Sequence, residues 1–173
     1  MSVTINSRTS GVVLEKPQDV IVDTTVSANT TAGTTEQILK QYSLPSGTLR
    51  NFNYFVLRIL WTKSGTTDAA TSCRIRIGTA GTTSDTQFVS ATGFIGGSRA
   101  YATETYFFAS SDTQLRFLAR NATGGWGEAT TSAAYPLNTT VSTMSGPLTL
   151  SLSMQMAGAT DLGAVAHVIL TGY

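Results

Sequence analysis

The sequence predicts an all-β domain, a β-sandwich or a barrel, and three observations carry the prediction. Apolar residues recur at every second position in several short stretches, as on a pleated strand with one covered face. The plainest case is Leu148, Leu150, Leu152, Met154 and Met156, which alternate with Thr149, Ser151, Ser153 and Gln155. Clusters of Gly, Ser, Thr, Asn and Asp separate these stretches at short intervals, and almost nothing between them has a helical period. Eight or nine such strands in one domain pack as two layers or close into a barrel.

The longest apolar run, Tyr54 to Trp61, is broken only by Arg58 and is too short to span a membrane. It reads as a central strand covered on both faces. Through the polar link after it, the run is expected to pair with the next strand, in which Arg74 and Arg76 face one side and Cys73, Ile75 and Ile77 the other. Before it, Val20–Val26 reads as a strand, while Ile38, Leu39 and Tyr42 fit either a helical turn or an irregular strand. Pro45 and Gly47 define a turn, since Pro fixes φ and Gly accepts positive φ. Thr86–Ala91 is a strand, Tyr101–Ala109 and Thr113–Arg120 form a hairpin turning at residues 110–112, and Val165–Leu170 closes the chain. The stretch 121–138 is long and irregular.

With 173 residues the chain is one domain, able to bury about 70 % of its unfolded surface. Only 12 % of residues are charged and the net charge is +1, so neutral Thr, Ser, Asn and Gly must cover the surface. Its eleven basic residues are scattered, which argues against nucleic-acid binding. The first ten residues lack the apolar stretch of a signal peptide, so synthesis in a cytoplasm and no membrane partner are expected. Cys73 stands alone, excluding an intrachain disulfide and a thiolate zinc site.

Residues 1–30 read as an N-terminal arm and 31–173 as the sandwich domain. Within the arm, Val12, Val13 and Leu14 are the candidate docking residues, because a short apolar run without a period can order along a partner surface. His167, the only histidine, lies in the last strand and reads as structural. Carboxylates for a glycosidase-type pair would come from Glu104, Asp112, Glu128 and Asp161, the two aspartates being turn residues. No nucleophile elbow, calcium loop or phosphate loop accompanies them, and neither an enzyme nor a cofactor is expected. Trp126, held between Gly125 and Gly127, could stack with Tyr135 on the apolar face of a sugar, pack under its own loop, or meet a neighbouring subunit. With Arg99 these two aromatics make up the candidate glycan site, on loops 93–99 and 121–138.

The order of segments over 34–173 resembles a family of tailed-phage virion proteins with jelly-roll domains. Members open with a T-x-E-x-x-L-x-x-Y-x-I-P-x-G-x-L stretch, and here Thr34, Glu36, Leu39, Tyr42, Pro45, Gly47 and Leu49 hold its positions, with Leu44 at the Ile. A hydrophobic strand and an R-x-R-F-G-G strand follow in the family. Leu57–Trp61 and Arg74–Gly78 are the counterparts, with Ile77 at the aromatic and one glycine for two. The closing LTLSLSMQMAGATDLGAVAHVILTGY is similar to their last hairpin. The resemblance implies a jelly-roll-like antiparallel β-sandwich in a capsid decoration, head fibre or tail component. It implies as partners other copies of the chain, in a homotrimer, phage capsid or tail proteins, and in the receptor-binding case a host surface glycan.

Overall fold

The computed structural model describes residues 2–5, 12–31, 34–65, 72–92, 99–118, 138–141 and 143–173. Their strands are β1 (Ser2–Ile5), β2 (Val12–Glu15), β3 (Gln18–Asp23), β4 (Gln37–Leu44), β5 (Phe55–Ser64), β6 (Ser72–Gly78), β7 (Thr86–Thr92), β8 (Arg99–Ser111), β9 (Gln114–Leu118), β10 (Asn138–Thr140), β11 (Leu148–Gln155) and β12 (Leu162–Gly172). A 3-10 turn, Thr48–Arg50, follows the Pro45–Gly47 corner, where Gly47 has φ 77° and Leu49 is buried.

Two antiparallel sheets hold the core between them. The larger runs β10-β9-β8-β5-β12-β3 and the smaller β4-β11-β6-β7. Four pairings explain this order: β3 with β12, β4 with β11, β5 with β8, and β6 with β7. They describe one long antiparallel ribbon whose outermost strands are the first and last. Wrapping that ribbon brings β12 beside β5 and β11 beside β6, which is the jelly roll. β9 and β10 widen the larger sheet beyond it.

Alternation decides which side chains enter the core. From β5 come Phe55, Leu57, Ile59 and Trp61, and from β6 Cys73, Ile75 and Ile77. β11 adds Leu148, Leu150, Leu152 and Met154, and β12 adds Val165, Val168 and Leu170. Phe55 stacks on Phe107 of β8 with ring centroids 5.3 Å apart. Trp61 donates its indole N–H to Thr103 Oγ1 at 3.0 Å, so its polar handle is satisfied inside the sandwich.

The expected pairing of β5 with β6 does not occur, because the two strands lie in opposite sheets. Their apolar rows face each other across the core, and β5 is flanked by β8 and β12 while β6 is flanked by β7 and β11. The closing segment crosses between sheets in the same way, with β11 and β12 on opposite layers rather than in a hairpin. Period fixes which face of a strand is apolar and leaves its lateral neighbours open. β5 is also not covered on both faces: Val56 is buried on its outer face, but Arg58 is exposed. The segment read as helical turn or irregular strand is β4, with a bulge opposite Leu152/Ser153.

Polar groups close the outside. The serines of β11, expected to face outward, are fully buried at Ser151 and Ser153. They lie opposite Arg76 and Arg74, which converge on Glu36: Arg76 donates two hydrogen bonds to its carboxylate at 2.8 and 2.9 Å, and Ser153 a third at 2.5 Å. Burial, the largest influence on Glu36, raises its pKa. The bonds from Arg76 and Ser153 and the charges of Arg74 and Arg76 outweigh it, leaving the pKa lowered.

At one edge, Asp23 at the end of β3 binds across to the other sheet. It accepts from Lys40 Nζ at 2.5 Å and Tyr42 OH at 2.8 Å, both on β4, and from the backbone N–H and hydroxyl of Thr25. The Lys40 bond, then those from Thr25, hold its carboxyl well below the usual carboxylate range, and burial, followed by the same carboxylate, pushes the Tyr42 phenol up. Groups with depressed folded pKa values stabilise the fold above their unfolded values, about 3.9 for Asp and 4.3 for Glu, and lose that contribution as pH falls toward the folded ones. The midpoint of urea unfolding is therefore expected to drop steeply as pH goes from about 5 to about 2. Asp23→Asn should start lower and fall less steeply across that window, which a series of urea titrations checks.

The first 30 residues divide. β1 and β2 pair with each other, Val12 with Ile5, Val13 with Thr4 and Leu14 with Val3, and with neither large sheet. The sandwich begins at Gln18. β3 pairs with β12, Ser27 and Thr30 donate backbone N–H bonds to Val165 and Gly163 at 2.8 Å, and Thr30 is 2 % exposed.

Candidate functional site

The outer face of the larger sheet carries a hollow of about 310 Å³ where β8, β5 and β12 lie side by side. Register builds it from two rows. One places Ile169, Arg58 and Glu104 abreast, and the next places His167, Leu60 and Ala102 abreast. Leu60 and Ile169 give an apolar floor, and Ala102, exposed and with only a methyl group, leaves the space open.

His167 reaches this face because of an irregularity. Val165 pairs with Trp61 and faces the core, so regular alternation would also send residue 167 inward. A bulge between Val165 and His167 adds one residue, and His167 pairs with Leu60 on the outer face, while Val168 returns to the core. Bulges commonly re-aim a side chain in this way. His167 Nε2 is buried without a hydrogen-bond partner among the described residues. The rim is an ion pair: Arg58 Nε donates to Glu104 Oε2 at 2.7 Å, and Tyr106 OH donates to Glu104 Oε1 at 2.6 Å. The bond to Glu104 holds the Arg58 guanidinium above its ordinary pKa.

Of the residues singled out in the sequence, Glu104 and His167 meet here. Asp161 does not join them: its backbone N–H closes the turn by donating to Gly158 O at 3.2 Å, and its side chain points elsewhere. It is fully buried, with Oδ2 3.0 Å from Lys63 Nζ, itself fully buried. Asp112 does sit in the β8–β9 turn, but its carboxylate binds Thr143, Ser145 at 2.8 Å and Arg50 at 3.4 Å, tying that turn to distant segments. These bonds, Thr143 first, hold its pKa low. Trp126, Tyr135 and Glu128 lie outside the described residues. Arg99 opens β8 opposite Lys63, and Val12, Val13 and Leu14 lie on β2.

Sequence reasoning missed Leu60, Ala102 and Ile169 as site residues and noted Arg58 only as a break in an apolar run. That break was the signal, because a lone charge inside a strand core marks a half-open outer face. Cys73 is sealed in the core, where burial pushes its thiol pKa up. No cluster of three metal-ligating side chains occurs among the described residues, nor is any helix among them long and apolar enough to cross a membrane. A neutral hollow with donors, acceptors and an apolar floor is suited to holding a small molecule.

No family model and no curated protein sequence matches the chain. Among solved structures it is similar to VP2 of infectious bursal disease virus in its subviral particle, at 8 % identity and a TM-score of 0.41, over 97 % of this chain and 36 % of that one. This chain thus spans about a third of that protein's length. It is also similar to the CBM2 module of the evolved Dit of Lactobacillus casei BL23 phage J-1, at 11 % identity and a TM-score of 0.33, over 76 % of this chain and 67 % of that one.

Proposed function

We propose that this protein is a non-enzymatic structural component of a tailed-phage virion, a capsid decoration, head fibre or tail component that assembles as a homotrimer and docks through its N-terminal residues. One observation carries the reading: the eight-strand jelly roll is complete from Gln18 onward, and the β1–β2 hairpin bearing Val12, Val13 and Leu14 pairs with neither sheet. A folded body with a separate apolar hairpin suits a subunit that plugs into a larger particle. The sparse charge of the chain is consistent with surfaces covered by neighbours. Val22 and Val26, 60 % and 65 % exposed on and beside edge strand β3, are the natural subunit contacts.

Removing residues 2–15 tests the docking role. The shortened protein is expected to keep its melting temperature and its trimeric mass by light scattering while no longer joining particles when co-expressed with the other virion proteins. Normal incorporation would remove the hairpin as anchor, and a monomeric mass for the full chain would remove the trimer.

A second reading has the protein recognise a host surface glycan through loops 93–99 and 121–138. It rests on the aromatic pair Trp126 and Tyr135 read from the sequence together with Arg99, which opens β8. Trp126→Ala is then expected to abolish binding to host cells without lowering the melting temperature.

A further inference from the structure

We infer that the hollow on the outer face of the larger sheet is a binding site for one neutral sugar unit. This goes beyond the virion reading and does not rest on it, nor on the loops around Trp126. Its volume of about 310 Å³ is at the small end of ligand pockets, which span roughly 300–1,000 Å³. A single ring fits that size better than an oligosaccharide.

The lining chooses the chemistry. Arg58 and Glu104 neutralise each other at 2.7 Å, so this ion pair carries no net charge to draw an ion. Side by side they still present guanidinium N–H donors and carboxylate lone pairs, the combination that adjacent hydroxyl groups satisfy as acceptor and donor at once. His167 is part of the lining, with its Nε2 shielded from solvent and so out of reach of a ligand's hydroxyls. Leu60, Ala102 and Ile169 offer an apolar floor for the C–H face of a ring. The bulge that turns His167 outward and the missing bulk at Ala102 are the two features that make the hollow.

His167 is the only histidine, so 13Cε1-histidine labelling gives one imidazole signal per chain. Titration of the full chain with D-glucose, D-galactose, L-rhamnose and N-acetyl-D-glucosamine is expected to shift that signal saturably with at least one of them, at a Kd on the order of millimolar. Ala102→Trp, which fills the hollow from an exposed position, should abolish the shift. Glu104→Gln should weaken binding by about tenfold through loss of a charged acceptor. Trp126→Ala should leave the shift intact, which separates this site from the loop site. The inference is overturned if no sugar shifts the signal saturably up to about 100 mM. It is equally overturned if acetate shifts it and no sugar does, or if Ala102→Trp changes the native mass, which would mean that a second copy occupies the hollow.

Discussion

Replacing Lys63 by methionine is expected to lower the unfolding free energy by about 3–5 kcal/mol, read from urea denaturation at neutral pH. Lys63 is on the inner row of β5 and Asp161 stands just ahead of β12, both without solvent exposure and 3.0 Å apart. Gly65, at φ 134°, passes so close that a Cβ there would overlap the Asp161 carboxylate. The pair is thus sealed in by backbone. Attraction between two buried charges only roughly repays their lost hydration, so the pair adds little net stability. Removing one partner is another matter, because it leaves the other charge buried without this counter-ion. The double variant Lys63→Met/Asp161→Leu should recover most of the loss. A recovery below about 1 kcal/mol would show that the cost of the single variant is lost packing rather than a buried charge left without this counter-ion.

The same pair shows why some of this molecule could be read in its sequence and some could not. Alternation along Cys73–Ile77 and Leu148–Met156 placed every inward side chain correctly, since a strand period of two is a local property. It could not tell that β5 and β6 belong to different sheets, because lateral neighbours are chosen by residues far along the chain. Asp161 closes a turn through its backbone N–H to Gly158 O, as the turn composition of the Gly158–Gly163 stretch suggests, but that composition says nothing of its buried carboxylate. Its partner is ninety-eight positions away on another strand, beyond any local pattern. The hollow was hidden for a related reason. Arg58, Ala102 and His167 come from three strands, and only register, together with an extra residue in β12, puts them on one face.

The N-terminal boundary yields the other large effect. A deletion of residues 2–15 should leave the unfolding free energy unchanged, whereas one of residues 2–25 should cost on the order of 5 kcal/mol or prevent folding. The longer deletion removes β3 from the edge of the larger sheet and exposes the hydrogen-bonding groups of β12, from Val168 to Gly172, that face it. Val20 and Ile21, which pack against the core, are lost with it, at roughly 1–2 kcal/mol each for partly buried side chains. Lys40 and Tyr42 lose Asp23, so the bond between the two sheets at that edge opens, and Lys40, whose side chain is only 7 % exposed, keeps its charge without its partner. The freed edge of β12 would also be a template for pairing with other chains, so aggregation should accompany the loss. Equal stability for the two deletions would mean that β3 adds nothing to the fold, and that the ribbon closes with β4 and β11 as its outermost pair.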